Sequence, residues 1–185
     1  LKAYGFSSLQ HDAKVDINTT FELASLTKQF TASAILKLHQ DGKLRLDDYL
    51  HQHFPECPEH WKGITIQQLL WHTSGLPGMF PHDNFTRISF TGYANMMAGE
   101  LAMMLQTNTV SKNVAIKSII TDSLDSTPGS TYNYSDVGYL LLGLVIDNIT
   151  GSYTTYLSDI FEKQGMTNTY FVDQEKMIKN QARGY

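Results

Sequence analysis

Residues 21–32 read FELASLTKQFTA, and this stretch decides how the rest of the chain is organised. An apolar lead-in ends at Ser25, and a helical pattern begins directly after it. Lys28 lies about one helical turn further along on the same face, so its amine can reach the Ser25 hydroxyl. Because a helix N-terminus carries partial positive charge, it favours a serine alkoxide and disfavours a protonated lysine. The pair is therefore a candidate nucleophile and base, although Ser-x-x-Lys alone also fits a plain helix start followed by a solvated lysine.

The composition is that of a globular protein with room for one domain. The chain has 185 residues, of which 42% are apolar and 17% are charged. Its net charge of -4 gives no electrostatic footprint for nucleic acid, and no basic stripe suggests an anionic membrane surface as a partner. No apolar run approaches the length of a membrane span. The single cysteine, Cys57, excludes an internal disulfide.

The predicted elements are two strands followed by helices. Strand-like stretches cover 2–8 and 14–23 around a polar turn, and two strands need further structure to cover them. Residues 137–149 are apolar almost all round, which predicts a buried helix with Asp136 as its N-cap and Gly151 at its end. Further helical patterns cover 25–40, 46–53, 65–71, 93–106, 112–121 and 153–164.

The segment 51–60 contains three histidines and Cys57, which are side chains that metals use as ligands. Their spacing, His-x-His-x3-Cys-x2-His, is not a familiar zinc pattern, and two prolines break the segment. A polar surface loop is the favoured interpretation. We therefore expect no metal site and no cofactor.

Several short motifs follow one another along the chain. They are SLTKQFTA (25–32), GKLRLDD (42–48), ITI (64–66) with LL (69–70), HTSGLP (72–77), PGS (128–130), YSDVGY (134–139), LG (142–143) and GM (165–166). In kind and order they resemble the serine β-lactamase and penicillin-binding-protein family, in the branch of class C β-lactamases, D-alanyl-D-alanine carboxypeptidases and related esterases. S-x-x-K is a signature of related β-lactamases and penicillin-binding proteins.

This resemblance implies an α+β, helix-rich fold of the β-lactamase/transpeptidase type. In that family a five-stranded antiparallel sheet packs against helices, and the active site lies between the sheet and a mostly helical region. Residues 1–24 would supply two strands of the sheet, and residues 25–185 would supply the catalytic helix and the mostly helical region of a single, incomplete catalytic domain. We expect the other three strands, with the family's third motif, to follow Tyr185. The piece alone is then expected to have little turnover, since losing one oxyanion donor already costs about 10²–10³ in rate.

The resemblance also implies the chemistry of a serine hydrolase that works through an acyl-enzyme. Ser25 would attack a carbonyl, Lys28 would help to deprotonate it, and Tyr134 would pass the proton to the leaving group. A β-lactam, a D-Ala-D-Ala-type peptide and a small ester all remain possible substrates. The alternative is a non-catalytic homologue that binds penicillin or peptidoglycan as a sensor or scaffold. The family favours a periplasmic or extracellular location.

Two motifs depart from the family's pattern or imitate it. Asp136 stands at a substrate-binding position where the family usually has Asn. An ionised Asp can only accept hydrogen bonds, so we expect it to pair with Lys28 and to disfavour amide carbonyls relative to esters; the alternative is a plain helix cap.

The run 72–75, HTSG, superficially resembles the family's third motif but lies between the first two, so it is assigned no catalytic role.

Overall fold

A computed structural model describes residues 1–55, 57–78, 123–171, 178 and 180–183. Within these ranges the chain is helix-rich with a two-stranded sheet, as the α+β prediction requires. The helices predicted over 93–106 and 112–121 lie outside the described residues. None of the described helices combines the length and the apolar character that crossing a bilayer requires. The described helices are α1 (Thr27–Gln40), α2 (Leu50–His53), α3 (Ile66–Leu70), α4 (Asp136–Thr150) and α5 (Tyr153–Lys163).

The sheet pairs β1 (Phe6–Ser8) with β2 (Ala13–Lys14) in antiparallel register. The prediction of a strand over 14–23 is therefore wrong for most of its length. The chain turns soon after β2, because the Asp16 carboxylate accepts a hydrogen bond from the Asn18 backbone N–H at 2.7 Å. A hydrogen bond from the backbone N–H to the side chain of the residue two positions earlier stabilises a turn. It therefore competes with strand pairing.

Helix α4 is the centre of the helical core, because it contacts α1, α2, α3 and α5. Residues 140–147 are all buried, as the continuous apolar pattern predicted. The N-cap is Ser135, whose Oγ accepts from the Gly138 N–H at 3.1 Å. The prediction of Asp136 as the cap is wrong by one position, and its carboxylate is free to pair elsewhere. Gly151 ends the helix in the left-handed conformation, with φ of 85°.

Helix α1 holds the Ser-x-x-Lys segment against this core. Its buried residues are Thr31, Ala34, Ile35 and Leu38, at the spacing of an amphipathic helix. Full burial of one large aliphatic side chain contributes about 1.5–3 kcal/mol. Because α1 packs against both α4 and α5, Lys28 in its first turn is fixed at the edge of the core.

The loop 72–78 is packed tightly beside the segment that precedes α4. The Asp125 N–H donates to the Gly75 carbonyl at 2.8 Å. Gly75 has φ of 76°, and a Cβ at this position would lie 2.0 Å from the Ser126 carbonyl oxygen. Only glycine fits such an approach. The close packing places His72, at the start of the loop, next to the entry of α4.

Candidate active site

Ser25 lies in the 3-10 turn Ala24–Leu26, directly before α1. The turn is left-handed at Ala24, where φ is 44°, a conformation that costs free energy for any residue except glycine. Ser25 itself is exposed, so a substrate can reach its hydroxyl. Backbone strain of this kind is found preferentially at functional sites, and here it adjoins the candidate nucleophile.

Lys28 and Tyr134 meet at the Ser25 hydroxyl. Lys28 Nζ donates to Ser25 Oγ at 3.3 Å, and the Tyr134 hydroxyl donates to the same oxygen at 3.0 Å. Tyr134 comes from the segment before α4, 109 residues beyond Ser25 in the sequence. The Lys28 ammonium also lies 4.8 Å from the centre of the Tyr134 ring. The ammonium can therefore stabilise negative charge that develops at the site during a reaction.

Asp136 forms an ion pair and a hydrogen bond with Lys28, as the sequence analysis expected. The side chains of Lys28 and Asp136 are 17% and 24% exposed, so water screens their attraction only in part. Burial lowers the pKa of Lys28, but the hydrogen bond and charge of Asp136, assisted by Tyr134, outweigh burial and raise the pKa above its ordinary value. Lys28 is therefore a protonated donor in the resting site.

His72 is a member of the site that the sequence analysis did not assign. Its ring stacks on Tyr134 with 4.5 Å between ring centres and 28° between ring planes. Its Nδ1 accepts a hydrogen bond from the Ser135 backbone N–H at 3.1 Å, although the two residues are 63 positions apart. The ordered match of the HTSGLP loop was the available signal, but a loop match says nothing about which side chain the histidine contacts.

The histidines of segment 51–60 do not gather into a metal site within the described residues. His51 Nδ1 lies 3.1 Å from the Lys62 carbonyl oxygen. His53 Nε2 lies 2.8 Å from the Asp48 carboxylate. These two rings have separate partners, so they are accounted for by local structure.

The chain matches known proteins over its whole length. Residues 1–185 match the family model described as Beta-lactamase. Protein flp of Staphylococcus aureus (strain MRSA252) is 36% identical over 190 residues, which cover 100% of this chain and 34% of that protein. The chain thus spans about a third of the length of such curated relatives. The penicillin binding protein from Bacillus halodurans superposes with a TM-score of 0.75 and 25% identity, over 96% of this chain and 52% of that chain. A class C beta-lactamase superposes with a TM-score of 0.73 and 26% identity, over 98% of this chain and 45% of that chain.

The geometry predicts that Asp136→Asn lowers the pKa of Lys28, because it removes the charge that outweighs burial. The measurement is a pH titration of the Lys28 side-chain carbon signals by NMR. The folded pKa is raised, so the pair stabilises the fold fully below the ordinary value of 10.5, and this contribution is lost as the pH rises through the folded pKa. Asp136→Asn should therefore lower the free energy of unfolding at neutral pH. The difference from the wild type should shrink as the pH rises above 10.5 through the folded pKa of Lys28.

Asp41→Asn is the matched control, since it removes an exposed carboxylate that pairs with Lys37 near the other end of the same helix. It should leave the Lys28 titration unchanged. An unshifted Lys28 titration in Asp136→Asn would contradict the assignment of Asp136 as the group that sets this pKa.

Proposed function

Because the chain belongs to the beta-lactamase family, we propose that it carries the nucleophilic machinery of a serine hydrolase that forms an acyl-enzyme on Ser25. Its fold is the β-lactamase/transpeptidase-like fold that the ordered motifs predicted. The observation that carries the proposal is the convergence of Lys28 and Tyr134 on Ser25 Oγ, at 3.3 and 3.0 Å. In this proposal residues 1–185 form part of one catalytic domain.

The proposed reaction begins when Ser25 Oγ bonds to the substrate carbonyl carbon and its own O–H bond breaks. Tyr134, which lies 3.0 Å away beside the Lys28 ammonium, first gives its own proton to solvent and then accepts the Ser25 proton as a phenolate. Tyr134 then donates the proton to the leaving group as the bond to the acyl group breaks. Water hydrolyses the Ser25 ester and restores the hydroxyl. Lys28 acts chiefly through its charge, because Asp136 holds it protonated.

Asp136 supports an ester as the preferred substrate class over a β-lactam or a D-Ala-D-Ala-type peptide. An ionised carboxylate offers no donor to a substrate carbonyl, whereas the amide of an asparagine would. An ester also has a better leaving group than an amide and demands less from the base. The Lys28–Asp136 ion pair prevents Lys28 from acting as a second base, and this fits that lower demand.

The ion pair also favours a second candidate function, a penicillin- or peptidoglycan-binding sensor. Release of the acyl group requires a base to activate water. Lys28, held protonated by Asp136, cannot be that base, so a sensor results when Tyr134 does not activate the water either, and an acylated Ser25 then persists. Acylation is common to both functions, and only the fate of the acyl group separates them.

Labelling of the intact gene product with a fluorescent penicillin or a fluorophosphonate tests the proposal. Ser25→Ala should reduce labelling more than about 1,000-fold, because it removes the nucleophile. Ser33→Ala is the control, since Ser33 is an exposed serine on the same helix whose hydroxyl donates to the Gln29 carbonyl of that helix. Persistent labelling in Ser25→Ala would contradict the proposal. Timed loss of the penicillin label indicates an enzyme, and a stable penicillin label indicates a sensor.

The substrate preference predicts that Asp136→Asn raises turnover of a β-lactam or peptide relative to an ester by about tenfold, the effect of one gained hydrogen bond. The measurement compares kcat/KM for the two substrate classes in the same protein preparations. Asp47→Asn serves as the control, because Asp47 is an exposed carboxylate that pairs with Arg45 on the surface. If the ratio does not move toward the amide in Asp136→Asn, the ester preference is wrong.

A further inference from the structure

His72 makes three contacts with the short segment 133–135 that carries Tyr134. The Asn133 backbone N–H donates to the His72 carbonyl at 2.7 Å, and the Ser135 backbone N–H donates to His72 Nδ1 at 3.1 Å. Between these two bonds, the imidazole ring stacks on the phenol ring of Tyr134 at 4.5 Å. One residue thus holds the backbone on both sides of Tyr134 and the face of its side chain.

The backbone of His72 is itself adapted to this arrangement. Its φ is 57°, in the left-handed region, which histidine and asparagine adopt more readily than most residues. The preceding helix and the tightly packed Gly75 turn fix the loop on both sides. This backbone conformation therefore directs both the ring nitrogen Nδ1 and the carbonyl of His72 toward segment 133–135.

The Ser135 contact requires a neutral imidazole. Nδ1 can accept a hydrogen bond only when it carries no proton, so the proton of the neutral ring lies on Nε2. Burial lowers the pKa of His72, and the Lys28 charge lowers it further, while the Asp136 charge acts in the opposite direction. Among the residues that the structure describes, the other ionisable groups against the ring are the phenols of Tyr132, Tyr134 and Tyr139.

We propose that His72 is a positioning residue, which holds the Tyr134 hydroxyl on Ser25 through its ring stack and its Nδ1 acceptor. The effect on catalysis rests on the proposed function, whereas the effect on geometry does not. Because the Tyr134 hydroxyl lies 3.0 Å from Ser25 Oγ, a small rotation of its ring breaks the contact. A misplacement of about 1 Å at such a group can cost about 100-fold in rate.

Two substitutions separate the two contacts of the His72 side chain. His72→Phe keeps a ring for stacking but has no acceptor for the Ser135 N–H. His72→Asn keeps an acceptor and tolerates the left-handed backbone but has no ring. His11→Asn is the control, since His11 is an exposed histidine of the turn between β1 and β2.

The measurement is the second-order rate at which a fluorophosphonate phosphonylates Ser25, with loss of fluoride, between pH 5 and pH 9 in the intact gene product. We expect a loss of about 10- to 100-fold in His72→Phe and a smaller loss in His72→Asn. Burial and the Lys28 charge lower the pKa of His72, so the wild-type rate should fall only below the ordinary imidazole pKa of 6.5, where the ring gains a proton, and this acidic limb should disappear in both variants. His11→Asn should retain the wild-type rate and pH profile.

A second measurement follows the geometry without activity, as the NMR nuclear Overhauser contact between the Tyr134 ring protons and the Ser25 β-protons. We expect this contact in the wild type and its loss in His72→Phe. Wild-type rates and an intact contact in both His72 variants overturn the proposal, and so does an equal loss of rate in both variants that tracks a lowered melting temperature. No Ser25-dependent labelling of the wild type overturns the proposed function instead, and the NMR contact then decides the positioning role alone.

Discussion

The ion pair between Lys28 and Asp136 is the contact on which the site depends. It joins the first turn of α1 to the first residue of α4, so it fixes two helix N-termini against each other. Both N-termini carry partial positive charge, and an ammonium between them is unfavourable without a neighbouring carboxylate. Asp136 supplies that carboxylate at the end of α4 where a negative charge is stabilising. Removal of either partner would leave the other charge partly buried without its counter-charge, which is costly.

The same ion pair determines which group can move a proton. A lysine held protonated by a carboxylate is a source of positive charge rather than a base. In the proposed reaction the task of accepting the Ser25 proton therefore falls to Tyr134, which lies within hydrogen-bond distance. A tyrosine with this role must be oriented accurately, and the stacked His72 ring is placed to orient it. The ion pair that holds Lys28 in place thus also prevents it from acting as a base. In the proposed function this favours substrates with good leaving groups.

Two kinds of feature were predictable from the sequence: contacts within one helix, and the site residues that belong to the ordered motifs. The proximity of Ser25 and Lys28 follows from helical spacing, whereas only the order of the motifs connected Tyr134 to them across 109 residues. The cap of α4 was misplaced because both Ser135 and Asp136 are good N-caps, and periodicity cannot choose between adjacent positions. The contacts of His72 were not predictable, since they depend on a left-handed backbone and on loop packing between distant segments.

An acyl bond on Ser25 is the central claim, and peptide mapping tests it most directly. The intact gene product is mixed with a fluorescent penicillin, quenched in acid and digested with trypsin, and the labelled peptide is sequenced by mass spectrometry. Cleavage after Lys14 and Lys28 releases residues 15–28, in which Ser25 is the single serine. We expect the added mass on Ser25 of this peptide. Label found only on other peptides would contradict an acyl-enzyme at this site.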